Sequence, residues 1–297
     1  MTSTGAGDNR FDWDDPALAA LVRAALDEDV GAGDVTTAAT VAEGARARAR
    51  LIARQDLILA GLPVFERVFR QLDPAFAITP HFGDGSRVPS GATVADIEGR
   101  ARAILTGERT ALNFLARLSG IATLAGRYAA ELAQTATRLR DTRKTTPLHR
   151  RLEKYAVRTG GGTNHRFGLF DAVLIKENHI AAAGGVAQAV GLAREATRER
   201  GLEIEVEVRN SRELREALKA GADEVLLDNL KPAAAARMVA LVRRERPECR
   251  VELSGGMTLR NLRSYARAGA DFISVGALTH SAPAADFSLL VEGADAS

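Results

Sequence analysis

The stretch IEVEVRNSRELREALKAGADEVLLDN, Ile204 to Asn229, decides how this chain folds. Ile204 to Val208 is a short run rich in β-branched residues, and Ser211 to Lys219 has helical periodicity. Ala220-Gly221-Ala222-Asp223 stops that helix at a glycine and returns the chain to a second apolar run, Val225 to Leu227. The pattern recurs outward: Ala268-Gly269-Ala270-Asp271 leads into Phe272-Ile273-Ser274-Val275 in the same way. Further apolar runs span Ala172 to Ile175 and Arg250 to Leu253, with a weaker one at Arg138 to Leu139. Helix-period stretches separate them at Val186 to Glu199, Pro232 to Arg243 and Thr258 to Arg267. Strands that alternate with helices and read as buried on both faces imply a parallel α/β layout. Eight β/α units need roughly 250 residues, so an incomplete β/α barrel of six or seven strands is expected, with an open sheet as the alternative.

Each run ends in a polar or glycine cluster. The ends are Arg143-Lys144, Lys176-Glu177-Asn178, Glu207, Asp228-Asn229, Ser254-Gly255-Gly256 and Gly276. In a parallel barrel all strand C-termini open onto one face, so these clusters converge on one mouth. His165-Arg166 joins them after the glycine loop Gly160-Gly161-Gly162-Thr163-Asn164. Arginine matches planar carboxylates bidentately, whereas lysine suits phosphate as a compact charge. Several cations packed together repel one another unless an anion sits among them. Glu207 and Asp228 add carboxylates that could hold Mg²⁺, engage sugar hydroxyls, favour a cationic transition state, or simply pair with the lysines. Ser254, Gly255, Gly256 and Gly276 present backbone donors where barrel enzymes bind phosphate.

The first third has a different texture and reads as a separate α+β domain, a sandwich. Asp14 to Leu26 and Pro63 to Gln71 are helical, and Glu108 to Leu132 is a long helix that bridges the two domains. Arg46 to Leu59 reads as a strand pair, and Ala75 to Phe82 and Ala92 to Arg102 as further strands. The expected division is 1–119, joined by 281–297, against 120–280.

Composition limits the partners. Of 297 residues, Lys and Arg number 40 and Asp and Glu 38, a formal charge of +2 that gives no reason to expect nucleic acid or a membrane surface. No apolar run approaches the ~18 residues of a membrane span, and Met1 to Arg10 lacks the apolar core of a secretory leader. The single cysteine, Cys249, excludes an internal disulfide and reads as a bystander. A cytoplasmic protein is expected.

The segments Gly107-Glu108-Arg109-Thr110-Ala111-Leu112-Asn113, Asp141-Thr142-Arg143-Lys144-Thr145-Thr146-Pro147, Asn164-His165-Arg166, Ile175-Lys176-Glu177-Asn178-His179, Glu205-Val206-Glu207-Val208, Leu227-Asp228-Asn229 and Ser254-Gly255-Gly256, taken together, resemble the quinolinate phosphoribosyltransferases. The resemblance runs from about Leu18 to Leu290; Arg209-Asn210 departs from it, where relatives often carry an acidic residue. It implies an α/β sandwich plus an incomplete β/α barrel, a homodimer with shared active sites, Mg²⁺, and the substrates quinolinate and phosphoribosyl pyrophosphate. It also implies roles: Lys144, Lys176, Glu207 and Asp228 as catalytic groups, the last two holding Mg²⁺ directly or through water. Arg109 from the neighbouring subunit, with Arg143 and Arg166, would hold the quinolinate carboxylates. Thr142 and His165 would also face substrate, Ser254, Gly255, Gly256, Gly276 and Ala277 would cradle the 5-phosphate, and His280 would contribute weakly. Two alternatives are a paralogous pyrophosphorylase of the kind found with molybdate transport, which would lose one of those arginines, and a non-catalytic nucleotide-binding or regulatory protein.

Overall fold

The structure, a computed structural model, describes residues 11–295; the leader reading of Met1 to Arg10 lies outside them. They form two compact units, one from residues up to Thr123 and from Pro283 onward, the other from Leu124 to Ala282. The first contains α1 (Pro16–Val30), α2 (Val35–Thr40), β1 (Arg46–Ala53), β2 (Leu57–Ile58), α3 (Leu62–Leu72), β3 (Ala77–Pro80), β4 (Arg87–Val88) and β5 (Thr93–Arg100). Helix α4 (Ala101–Leu132) begins in the first unit and ends in the second. There follow β6 (Arg138–Arg140), α5 (Arg150–Thr159), β7 (Val173–Ile175), α6 (Glu177–Ala183), α7 (Val186–Ala196), β8 (Ile204–Val208) and α8 (Ser211–Ala220). The second unit closes with β9 (Glu224–Asp228), α9 (Pro232–Glu245), β10 (Arg250–Ser254), α10 (Leu262–Ala266), β11 (Phe272–Ser274) and α11 (Ala277–His280). Strand β12 (Phe287–Asp295) then returns to the first unit.

In the first unit an antiparallel sheet has the order β12-β1-β5-β3. Strand β1 exposes Arg46, Arg48 and Arg50 and buries Ala47, Ala49 and Leu51, the two-residue alternation of a half-covered sheet. Leu51 pairs with Leu289 on one side and Ala95 on the other. Phe65 and Phe69 of α3 are fully buried, and Phe69 stacks on Phe76 with centroids 4.7 Å apart; burying each such ring contributes about 1.5–3 kcal/mol. Helix α4 starts seven residues earlier than its sequence pattern suggests, and Gly107 lies inside it. The reason is packing: a Cβ on Gly107 would fall 2.9 Å from Leu72 Cδ1 and 3.0 Å from Phe69 Cδ1, so glycine is what lets α3 approach α4.

In the second unit the sheet order is β6-β11-β10-β9-β8-β7, with every pairing parallel. Beyond β6 the described residues add only an isolated bridge from Arg140 to Thr163, so the β/α barrel is incomplete. One face of the strands is apolar, with Val206, Val225, Val251 and Ile273 fully buried. The opposite face carries Glu205, Glu207, Glu224, Asp228, Glu252, Ser254 and Ser274, the other half of the alternation. The Thr258 to Arg267 helix shortens to α10 because Asn261 Oδ1 accepts a bond from Thr258 N–H at 2.8 Å and turns the chain instead. Helices α2, α5, α6 and α11 have no counterpart among the elements expected from the sequence. Among the described residues no helix is long and apolar enough to cross a membrane.

Candidate active site

The C-terminal ends of the barrel strands surround a cavity of about 730 Å³. Its lining includes Thr142, Arg143 and Lys144 beyond β6, His165 and Arg166 from the following loop, and Lys176 at the end of β7. Glu207 of β8, Asp228 of β9, Ser254, Gly255 and Gly256 at β10, and Gly276, Ala277 and His280 at β11 and α11 complete the predicted set. Among the expected residues, Arg109 alone does not line it; Arg109 is exposed on α4 in the first unit.

Local conformations explain how these groups arrive. Asn229 adopts a left-handed turn (φ 53°) directly after β9, and its N–H donates to Ser254 O at 2.9 Å. Gly255, at φ 96°, must be glycine, because a Cβ there would collide with the Asn229 amide. Thr142 Oγ1 accepts from Lys144 N–H at 3.1 Å, and Thr279 Oγ1 donates to Lys144 O at 2.8 Å, which fixes the turn after β6. Lys176 caps α6, its N–H donating to His179 Nδ1 at 3.0 Å.

The cation-rich side of the cavity is strained electrostatically. Arg143 and Arg166 are half-buried, and the Nε of each is buried with no hydrogen-bond partner among the described residues. Burial, and then the like charge of Arg143, lowers the pKa of Arg166. Two neighbouring guanidinium groups with unmet donors form a receptor for an anion. Elsewhere in the lining, Lys176 Nζ stands 3.7 Å from Glu207, and Asn229 Nδ2 donates to Asp228 at 2.5 Å. Both arrangements leave carboxylate oxygens toward the cavity that Glu207 and Asp228 line. Their hard oxygen donors, with Asn229 alongside, suit Mg²⁺.

His165 lines the cavity, and its ring is held from the barrel interior. Its Nδ1 accepts from Arg166 N–H at 2.8 Å, which places the ring proton on Nε2, and Nε2 lies 2.8 Å from Glu205 Oε2. Burial lowers the His165 pKa, consistent with a neutral ring donating to Glu205. Beneath the cavity, Arg140 bonds Glu224 and, at 2.5 Å, Glu252, and its guanidinium stacks on Phe272 at 3.3 Å. Ser274 Oγ donates to Glu252 at 2.6 Å. His165, Glu205 and Glu252 have the types of a metal cluster, but Arg140 and Ser274 already engage both Glu252 oxygens.

Glu252 and Ser274 also line the cavity, although reading the strand ends alone does not single them out. A signal for them exists, since they lie two positions before Ser254 and Gly276 and therefore share their face. Asn178 and Asn229, each the last residue of a strand-end cluster, line it as well. Arg209, the departure from the family pattern, pairs with Glu177 at 2.8 Å and Glu213 at 3.0 Å, so its charge is matched locally. Cys249 is buried away from the cavity lining, and burial pushes its thiol up to about 11.

Residues 34–119 match the family described as quinolinate phosphoribosyl transferase, N-terminal domain, and residues 121–290 its C-terminal domain. A carboxylating nicotinate-nucleotide pyrophosphorylase of Homo sapiens is 42% identical over 275 residues, 92% of this chain and 91% of that protein. One from Mycobacterium leprae is 41% identical over 276 residues, 90% of this chain and 95% of that protein. The solved structure of the nicotinate-nucleotide pyrophosphorylase from Francisella tularensis matches with a TM-score of 0.89 at 43% identity, covering 96% of this chain and 98% of that one. With both domain families matched in order over most of its length, the chain belongs to the quinolinate phosphoribosyltransferase family.

Proposed function

We propose that this protein transfers the phosphoribosyl group of phosphoribosyl pyrophosphate to the ring nitrogen of quinolinate and releases the C2 carboxylate as CO₂, forming nicotinate mononucleotide and diphosphate. The observation that carries this reading is the Arg143–Arg166 pair, adjacent like charges with unmet buried donors in the cavity that also holds Lys144 and Lys176. Quinolinate supplies two adjacent carboxylates for that pair, and diphosphate supplies the polyanion for the lysines.

In the reaction the C1–O bond of the donor breaks, its electrons leave with diphosphate, and the quinolinate nitrogen lone pair forms the new bond to C1. Glu207 and Asp228 favour the positive charge that develops on the sugar, while Lys144 and Lys176 favour the departing anion. The pyridinium then accepts electron density as the C2 carboxylate leaves as CO₂, and C2 takes a proton. The protein's task is to hold the ring and the sugar in line and to limit water. Thr142 would contact quinolinate beside the arginines, and His165 would support them through its bond to Glu205. Ser254, Gly255, Gly256, Gly276 and Ala277 would hold the 5-phosphate, with His280 beside them. Glu207 and Asp228 would hold Mg²⁺, which when bound neutralises phosphate charge.

Arg109, exposed on α4, would complete the neighbouring subunit's site in a homodimer. The cytoplasm is the compartment that best suits a chain whose single cysteine stays a buried thiol. The Lys176–Glu207 ion pair favours a second reading, a protein that binds nucleotide without turnover. Incubating the purified protein with quinolinate, phosphoribosyl pyrophosphate and Mg²⁺ should release nicotinate mononucleotide; ligand binding without product would support the second reading and reject the first. Mixing Arg109→Ala with Lys144→Ala should restore partial activity through hybrid dimers. Absence of rescue despite subunit exchange would remove the shared site.

A further inference from the structure

Asp141 and Lys154 form an ion pair inside the barrel unit, 0% and 2% exposed. Asp141 Oδ1 accepts from Lys154 Nζ at 2.6 Å and from the backbone N–H of His165 at 2.8 Å. Lys154 Nζ also donates to the backbone carbonyl of His165 at 3.0 Å, so the pair grips both backbone polar groups of one residue. Asp141 Oδ2 accepts from Asn164 Nδ2 at 2.6 Å, and Arg158 Nη1 donates to the Asn164 side-chain oxygen Oδ1 at 2.6 Å. Neither Asp141 nor Lys154 lines the cavity.

A buried ion pair is a poor stabilising device, because the cost of dehydrating two charges offsets their attraction. Burial indeed raises the pKa of Asp141 and lowers that of Lys154, each against the pull of the other. What the pair provides is directional bonding. Loop 160–166 has little regular structure of its own, and its course is set by Thr163 bonding Leu139 O at 2.8 Å and by the grip on Asn164 and His165. Arg166 follows at once. Among the described residues its guanidinium is tied through Nη1 to Ala172 O at 3.1 Å, and its Nε has no partner. The direction in which Arg166 enters the cavity is therefore inherited from the backbone of His165.

We propose that Asp141 and Lys154, with Asn164 as their link, are positioning residues for Arg166 and set the affinity for the planar diacid substrate without touching it. The inference rests on the reading of Arg166 as a quinolinate-binding residue. Because removing one charge would strand the other in the interior, the first variant is the neutral double D141N/K154M, which removes both charges together and puts an amide where the carboxylate gripped His165 and Asn164. The second is Asn164→Ala, a change at a half-buried position that leaves the ion pair intact. A misplacement of about 1 Å at a binding group costs up to ~100-fold, so loosening is expected to raise the quinolinate KM roughly tenfold in the double variant and about threefold in Asn164→Ala. The phosphoribosyl pyrophosphate KM should stay within about twofold, and the thermal midpoint of Asn164→Ala near that of the parent. Combined with Arg166→Ala, either change should add less than about twofold, since the path through Arg166 is already cut. An unchanged quinolinate KM in folded Asn164→Ala, an equal rise for both substrates, or a fully additive effect on Arg166→Ala would overturn the inference alone. Should Arg166→Ala itself leave the quinolinate KM unchanged, the reading of the site falls and the inference with it.

Discussion

The two units spend the inner face of their sheets in opposite ways. The first fills it with Leu51, Phe65, Phe69 and Phe76, side chains whose only contribution is removal from water. The second lines it with Arg140, Glu205, Glu224 and Glu252, where Arg140 bonds Glu224 and Glu252 and Glu205 meets His165, pairings that add little net stability. Cohesion in the barrel unit comes instead from the outer strand face, where Val206, Val225, Val251 and Ile273 are buried and helices α8 and α9 contact β8 and β10. An outer core that holds the barrel together leaves its interior free to carry chemistry, and the residues lining the cavity continue the inner, charged alternation toward the strand ends.

That contrast can be broken most directly at Phe69. Truncation to alanine should cost about 3–5 kcal/mol of stability, read from chemical denaturation, while turnover per folded molecule stays unchanged. Loss of turnover in excess of unfolding would show that the first unit's core is more than a support. Arg143→Ala should do the reverse, lowering kcat/KM for quinolinate about a hundredfold through the loss of two charge-assisted bonds, with the unfolding midpoint held. A matching fall in stability would place Arg143 in the fold rather than the site.

The interior carboxylates offer a finer test. Burial, then the neighbouring Glu224, pushes Glu205 up to about 8, and burial, then Glu205, pushes Glu252 up to about 7, against an ordinary 4.5. The folded chain therefore keeps protons that the unfolded chain has released across pH 4.5 to 8. Stability contributed by these groups is complete below pH 4.5 and declines as pH rises through that window, by at most about 1.4 kcal/mol per pH unit for each proton. Glu205→Gln should flatten the slope; an unchanged slope would locate the titration elsewhere. The smallest effect is expected at Cys249, whose thiol is held near 11 and buried. Native protein at pH 8 should resist a maleimide without loss of activity, and rapid labelling would mean that this end of β10 opens.

Parallel strands were legible because Ile204 to Val208 and its counterparts combine β-branched residues with glycine-stopped helices, and both signals are local. The strand ends were legible because a barrel sends them to one place. Helix α5 was not, because its buried positions include Glu153 and Lys154, which no search for an apolar stripe would find. The inner face was missed for a related reason: Glu205, Glu224 and Glu252 are hydrophilic by composition, and only their distant partners Arg140, His165 and Ser274 make them interior. His165 shows the limit at one residue. Its place at the cavity follows from the motif, whereas its ring orientation depends on Glu205, forty positions away.

Strand β12 has a consequence for synthesis. Strand β1 is flanked by β5 and by β12, yet β12 begins only at Phe287. A ribosome must deliver all of residues 124–282 before that neighbour exists, so for most of translation β1 offers a bare hydrogen-bonding edge. Alternating arginines at Arg46, Arg48 and Arg50 along that edge would discourage a second nascent chain from occupying it.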